Sequence, residues 1–357
     1  MMKYKNYFKV FIKRNAALFF SIFIAFLTFT TLPTWSGVRT INELHIYTES
    51  YPYPYGKALF MAVTFASLII VSILPLITLR SIYSSNDLDT YFSVDLPREK
   101  LLFFDVVNTY LLFFIPYIIF AIVNGGIVYL GMKQYTSDLM PLHRYIIYIV
   151  ALALMAFFCL ALTTFIMTST TNLGSAVIYS AVGFLLPVIY WAILKEFIVV
   201  PYRSAIQRGI EKVLDLLNPF TNIVLLTVND DFYLHLLMVV IYAFLAVVLI
   251  VWTLKNFAKY KVENINSEEQ LPGFYSVMTY AFGIGAYTWI FMRIFKYSYN
   301  ALTANVFVLV LGLVAYYAVM MVRGKGKVNW AKFFTNYVLI SAIGLILGFL
   351  LSVFTKF

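Results

Sequence analysis

Apolar residues along this chain neither alternate with polar ones nor recur every third or fourth position. They come in unbroken runs, and a run of about 20 is what a bilayer core demands of one helix. Nine reach roughly that length: Ala16–Trp35, Lys57–Leu79, Leu101–Leu130, Tyr145–Met167, Gly174–Leu194, Leu234–Leu254, Phe274–Phe295, Asn305–Met321 and Phe334–Phe354. The pattern predicts an all-α, polytopic membrane helix bundle with about nine transmembrane helices. The third run is long enough to begin as an interfacial segment, and Gly125-Gly126 near its far end is a candidate kink.

The breaks between runs are informative. Ser81–Lys100 is the longest polar interruption in the first half, with Asp87, Asp89, Asp95 and Glu99 beside Arg98 and Lys100. Lys255–Pro272 is a second, basic first and then acidic, which separates six runs from three. Within Tyr202–Leu217, the residues Ile206, Ile210, Val213, Leu214 and Leu217 form one helical stripe, with Arg203, Arg208, Glu211 and Lys212 elsewhere on the surface. That segment is too short and too charged to span. It reads as a helix lying on the outer membrane surface, ended by Asn218-Pro219. Tyr47, Tyr51, Tyr53 and Tyr55, interleaved with Pro52 and Pro54, read as an aromatic belt at headgroup level, with substrate contact as the alternative.

Composition agrees. Of 357 residues, 62% are hydrophobic and 12% charged, about half the charged fraction of a soluble domain. The net charge of +10 does not point to nucleic acid, because Lys and Arg fall at the ends of apolar runs. That placement orients helices and attracts anionic headgroups. With the N-terminus inside, the inner loops and ends hold fifteen of the 26 basic residues, which favours N-in and, with nine spans, C-out. The first run follows Lys3, Lys5, Lys9, Lys13 and Arg14 without a small-residue cleavage site, so it reads as a retained span.

Candidate chemistry is sparse. There is no GxxxxGK[ST], and Arg323–Lys327 (RGKGK) lacks the spacing and hydroxyl of a phosphate loop, so it reads as a solvated inner anchor. His45, His143 and His235 lie far apart without metal spacing, no serine stands in a GxSxG context, and Cys159 sits alone inside an apolar run. No catalytic residue, bound cofactor or metal is expected. Buried charges, which ion-coupled carriers use, are almost missing from the runs. Asp105, early in the third, is the nearest to one. Sodium sites built from backbone carbonyls remain open, so a secondary transporter is disfavoured rather than excluded. Pro75, Pro116, Pro187, Gly183, Gly283 and Gly285 interrupt the runs. Packing explains them most simply, and Pro116, Gly183 and Pro187 are the hinge candidates.

Two runs, an acidic-aromatic segment, then Asp95–Val107 (DLPREKLLFFDVV) leading straight into the third run together resemble the permease subunits of ABC-2-type transporters. Leu96-Pro97-Arg98-Glu99-Lys100 matches the leucine-proline and basic residues that members carry before span three. The basic amphipathic start with Tyr4, Tyr7, Phe8 and Phe11, and the long outer loop between the fifth and sixth runs, agree with it. The resemblance covers Met1–Lys261. It implies a six-span permease core over residues 1–263, and residues 264–357 would be a three-span extension that the six-span pattern lacks. Segment 81–100 would carry a coupling helix seated on a separate ABC ATPase subunit. In it Ser85 or Asn86 would cap, Asp87 and Asp89 would face the positive end of the dipole, and Leu88, Tyr91 and Phe92 would make the apolar face. Asp95, Leu96, Pro97 and Arg98 would complete the docking set, Pro97 turning the chain into the third span. ATP and magnesium would be held by the partner, not by this chain. A second permease copy or paralogue and a bacterial cytoplasmic membrane, N-terminus inside, are further implications. The apolar and aromatic spans suit a hydrophobic or amphipathic export substrate, such as a peptide or lipid-like compound. A non-transporting membrane scaffold or sensor is a third alternative.

Overall fold

The computed structural model describes residues 4–45, 53–83, 97–131, 142–198, 222, 232–258, 271, 273–297, 301–324 and 326–354. Every regular element among them is helical: α1 (Tyr4–Arg14), α2 (Ala16–Phe26), a π-helical turn (Leu27–Thr31), α3 (Leu32–His45), α4 (Tyr53–Thr78), a 3-10 turn (Arg80–Tyr83), α5 (Arg98–Gly131), α6 (Leu142–Ser169), α7 (Leu173–Ile198), α8 (Phe232–Ala258), α9 (Phe274–Tyr297), α10 (Ala301–Arg323) and α11 (Trp330–Phe354). The expected surface helix at 202–217 lies outside the described residues.

Eight of these helical stretches are long and apolar enough to cross a membrane, the first running through α2, the π turn and α3. Their outward faces are hydrocarbon. On α8, Phe244 is 67% exposed, and Val240, Val247 and Val251 are about half exposed. Such surface is costly in water and neutral in lipid. The seventh run differs. It forms α9, a continuous helix of 24 residues and so about 36 Å long. Tyr275, Ser276, Thr279, Tyr280, Tyr287, Thr288 and Trp289 make it less apolar than the eight. The expectation of about nine thus meets eight strongly apolar helices and one polar-aromatic one.

The chain forms two compact units, one of residues 1–165 and 219–260, the other of 166–218 and 261–357. The expected division at 263/264 placed the fifth run with the first part, whereas α7 packs with the last three helices.

In the first unit α5 is the hub, packed against α2, the π turn, α3, α4 and α8. Phe26, 1% exposed, sits among Phe113, Tyr117 and Phe120, with ring centroids at 5.6, 6.2 and 5.9 Å. Three tyrosines tie α5 to α6. Tyr110 donates to the Ala153 carbonyl (3.0 Å), Tyr117 to that of Ile149 (2.7 Å), and Tyr145 returns a bond to Ala121 (2.7 Å). Thr78 and Thr109 pair at 2.8 Å between α4 and α5, and Thr64 pairs with Tyr148 at 2.8 Å between α4 and α6. Hydroxyls that reach a neighbouring backbone are what hold helices together where lipid removes the hydrophobic drive.

The second unit uses close approach instead. Ser341, Gly344, Gly348 and Ser352 are buried along one face of α11, the middle pair spaced as GxxxG. The α9 backbone lies against them, so that a Cβ on Gly348 would meet Phe291 Cβ at 2.8 Å and the Thr288 carbonyl at 3.0 Å. α7 is tied to α9 by Tyr179–Thr279 (2.7 Å), by Tyr190 donating to the Ala281 carbonyl (3.0 Å), and by a charge cluster in which Glu196 takes Arg293 and, at 3.6 Å, Lys296.

Gly348→Leu is therefore expected to force α9 from α11 at a cost of about 1–3 kcal/mol. Gly126→Ala, whose Cβ meets nothing within 4 Å, should be neutral. Thermal unfolding of both variants in one detergent checks this, and equal midpoints would contradict the packing.

Candidate functional site

Of the expected docking residues, Asp87, Leu88, Asp89, Tyr91, Phe92, Asp95 and Leu96 lie outside the described residues. Pro97 and Arg98 are described, and α5 starts with them. The Pro97 carbonyl accepts the N–H groups of Lys100 (2.9 Å) and Leu101 (3.1 Å). Proline is at home there, since its missing N–H would have no intrahelical partner. Glu99 stands in the first turn, where the helix dipole favours an anion.

Burial follows at once. Leu101 and Leu102 are fully buried, and one turn on Asp105, Asn108 and Thr109 are buried too. On the other side of segment 84–96, α4 ends at Thr78, and the chain continues through Leu79 and Ile82, each 1% exposed. Buried aliphatic side chains thus stand on both sides of that segment, and the Thr78–Thr109 bond joins α4 to α5 just inside them.

The hinge candidates fall inside unbroken helices. Pro116 is buried in the middle of α5 and has no N–H for the Leu112 carbonyl. In α7, Gly183 and Pro187 stand four apart, so the proline ring faces the carbonyl of the residue with no side chain. The missing Pro187 N–H leaves the Gly183 carbonyl without its helical donor, which softens the turn.

A small pocket inside the first unit, mostly apolar in its lining, was not anticipated. Phe26, Tyr117, Phe120, Tyr145 and Tyr148 wall a cavity of about 30 Å³, and Thr30, Thr34, Ser67 and Asn124 also line it. Asn124 Nδ2 donates to Thr30 Oγ1 at 3.4 Å, and Thr30 itself donates to the Phe26 carbonyl at 2.6 Å. Asn124 Oδ1 and Thr31 Oγ1 are buried with no hydrogen-bond partner among the described residues. The π turn makes this possible. The Leu32 N–H reaches back five residues to the Leu27 carbonyl, just before Pro33, which cannot donate. The sequence signal was the threonine group Thr28, Thr30, Thr31 and Thr34 around Pro33 in an otherwise apolar run. The cavity is water-sized and too small for a substrate.

Among the described residues no group of three His, Cys, Asp or Glu could hold a metal. His143 is exposed, and His235 is buried and paired through Nδ1 with Asn222 Oδ1 at 2.5 Å. Cys159 is a buried free thiol. Neither a protein-family model, nor a curated protein, nor a solved structure matches the chain.

Two outcomes follow from the polar interior. Tyr117→Phe and Tyr145→Phe should each cost about 0.6 kcal/mol, the usual worth of a bond between membrane helices. Asn124→Leu, which removes an unpartnered amide oxygen and only the long Nδ2–Thr30 bond of 3.4 Å, should raise the unfolding temperature. A fall would mean that the amide's bonds outweigh the cost of burying its oxygen.

Proposed function

We propose that the chain is the membrane permease subunit of an ATP-driven ABC transporter that exports a hydrophobic or amphipathic substrate. A separate ATPase subunit binds ATP and magnesium, and a second permease copy or paralogue completes the path. The reading takes α9 as a ninth span. A helix flanked by α7 and α11 need not be apolar all round, since its tyrosines and threonines face protein, as Tyr275, Tyr287 and Thr288 do. It also takes the N-terminus as cytoplasmic and the membrane as a bacterial plasma membrane, because the basic clusters are densest on that side.

The observation that carries the proposal is the burial of the chain on both sides of segment 84–96. Leu79 and Ile82 are buried before it and Leu101 and Leu102 after it, and α5, which follows, is the helix on which the first unit is assembled. A partner that grips Asp87–Leu96 and moves during an ATP cycle would therefore push α4 and α5 together, with Thr78–Thr109 coupling them. Through its tyrosine bonds α5 would carry α6 along, and Pro116, with Gly183 and Pro187 in the other unit, supplies places to bend. Work done on the segment would reach the spans with no need of an ionisable group inside them.

One observation favours a second reading, ion-coupled transport by this chain alone. Asp105 is 1% exposed within a membrane helix, and intramembrane carboxylates are costly to keep without use. It lies about two turns from the start of α5, close to the membrane face.

Affinity purification after mild extraction separates the readings. The unaltered chain should retain an ATPase subunit, and Leu88→Asp with Phe92→Asp should lose it while still folding. Retention by that double variant with transport intact sinks the exporter reading. Gradient-driven uptake by the purified chain, abolished by Asp105→Asn, would establish the other.

A further inference from the structure

The second unit contains two adjoining spaces whose chemistry differs. An apolar cleft of about 360 Å³ lies among α7, α9, α10 and α11, walled by side chains such as Val182, Ala286, Leu311 and Ile340. At the turn between α10 and α11 a polar pocket of about 620 Å³ is lined by Arg323, Lys327 and Lys332 with Ser276, Tyr280 and Asn336. Both volumes are of ligand size. Consecutive residues line first one and then the other: Thr279 and Tyr280 on α9, Val319 and Met320 on α10, Tyr337 and Asn336 on α11. The hydroxyl of Tyr280 donates to Asn336 Oδ1 at 2.7 Å, marking the boundary.

The pocket is built for an anion. Among the described residues its lining has three cationic side chains and no carboxylate, and the cleft lining has none either. The guanidinium of Arg323 lies 5.0 Å above the Tyr275 ring, which fixes its position. Two of the carbonyls at the end of α10 are already engaged. Gly324 and Gly326 donate to the Met320 and Met321 carbonyls, both at 2.9 Å, and Gly326 adopts a φ of +87° to close that cap. Asn329 caps α11 by accepting the Lys332 N–H at 3.2 Å, so the positive end of that helix stands at the same place.

A cationic pocket leading into a hydrocarbon-lined cleft, at the end of a membrane helix, fits a molecule with an anionic head and an apolar chain. We propose that the second unit binds an anionic phospholipid of the surrounding membrane, its phosphate in the pocket of Arg323, Lys327 and Lys332 and one acyl chain in the cleft. The inference rests on the chain lying in a membrane and not on its partner being an ATPase, so the two readings fail separately.

The test uses the full chain in a neutral detergent, titrated with dioleoyl phosphatidylglycerol, dioleoyl phosphatidylcholine or inorganic phosphate, with binding read by native mass spectrometry and thermal shift. Phosphatidylglycerol should bind about tenfold or more tighter than phosphatidylcholine. Lys327→Gln with Lys332→Gln, both at exposed positions, should weaken phosphatidylglycerol about fivefold per charge removed and leave phosphatidylcholine unchanged. Ala315→Trp, which fills the cleft from an exposed position on α10, should weaken both lipids. Equal affinity for the two lipids, or an unchanged affinity in the lysine pair, would overturn the headgroup site. Displacement of phosphatidylglycerol by inorganic phosphate at equal concentration would identify a free-anion site and overturn the lipid proposal. Should the tryptophan variant fail to fold, Leu311→Trp, on the same wall, decides the cleft by the same readout.

Discussion

Everything in the first unit depends on hydrogen bonds that reach out of one helix to another helix's backbone. In lipid an apolar side chain gains nothing by leaving its surroundings for a neighbouring helix, so van der Waals packing and cross-helix hydrogen bonds must supply what burial supplies in water. Tyr110, Tyr117 and Tyr145 do this between α5 and α6 by donating to carbonyls already engaged in their own helices. A tyrosine suits the task because its ring packs against Phe113 (Tyr110, Tyr117) or Phe60 (Tyr145) while its hydroxyl spans the remaining gap. The consequence is mechanical. α5 cannot slide against α6 without breaking three directed bonds, so the two move together.

The second unit meets the same constraint by removing side chains. Ser341, Gly344, Gly348 and Ser352 leave α11 nearly smooth on one face, and α9 lies against it backbone to side chain. Close contact of this kind resists separation but has few directed bonds across it. Bonds specify register, whereas small faces set distance. The helix that pairs with the smooth face, α9, is also the least apolar of the long helices, as expected where protein replaces lipid as its neighbour.

Most of the architecture was legible as run length. Helices appear at the nine apolar runs because length and hydrocarbon content are all that spanning requires, and those are local properties. The count blurred at α9, where Tyr275, Tyr287 and Thr288 lower the apolar content for a reason that is not local. The grouping of α7 with α9, α10 and α11 was hidden for the same cause. It comes from Tyr179, Tyr190 and Glu196 meeting residues about a hundred positions away. The π turn was invisible because no residue type encodes it. Thr28, Thr30, Thr31 and Thr34 beside Pro33 form a readable cluster that went unused. Of the candidate docking residues, Pro97 and Arg98 are the two described, at the start of the third long helix. Gly344 and Gly348 carried a readable small-residue spacing that went unused, because the run that holds them already had an explanation as a span.

The distribution of polar groups separates two kinds of work. In the first unit they lie inside, bonded from helix to helix, with Asp105 as the one buried acidic side chain among the described residues. In the second, Arg323, Lys327 and Lys332 gather at one end and ring a pocket that opens along apolar walls, while the Glu196 cluster closes the other end of α9. Internal polar bonds make a body stiff, and a stiff body transmits a push applied at its edge. A cationic mouth on an apolar cleft does nothing for stiffness and costs self-repulsion among three like charges. That cost is repaid only when an anion arrives, and the anion supplied in quantity at a membrane face is the headgroup of a lipid.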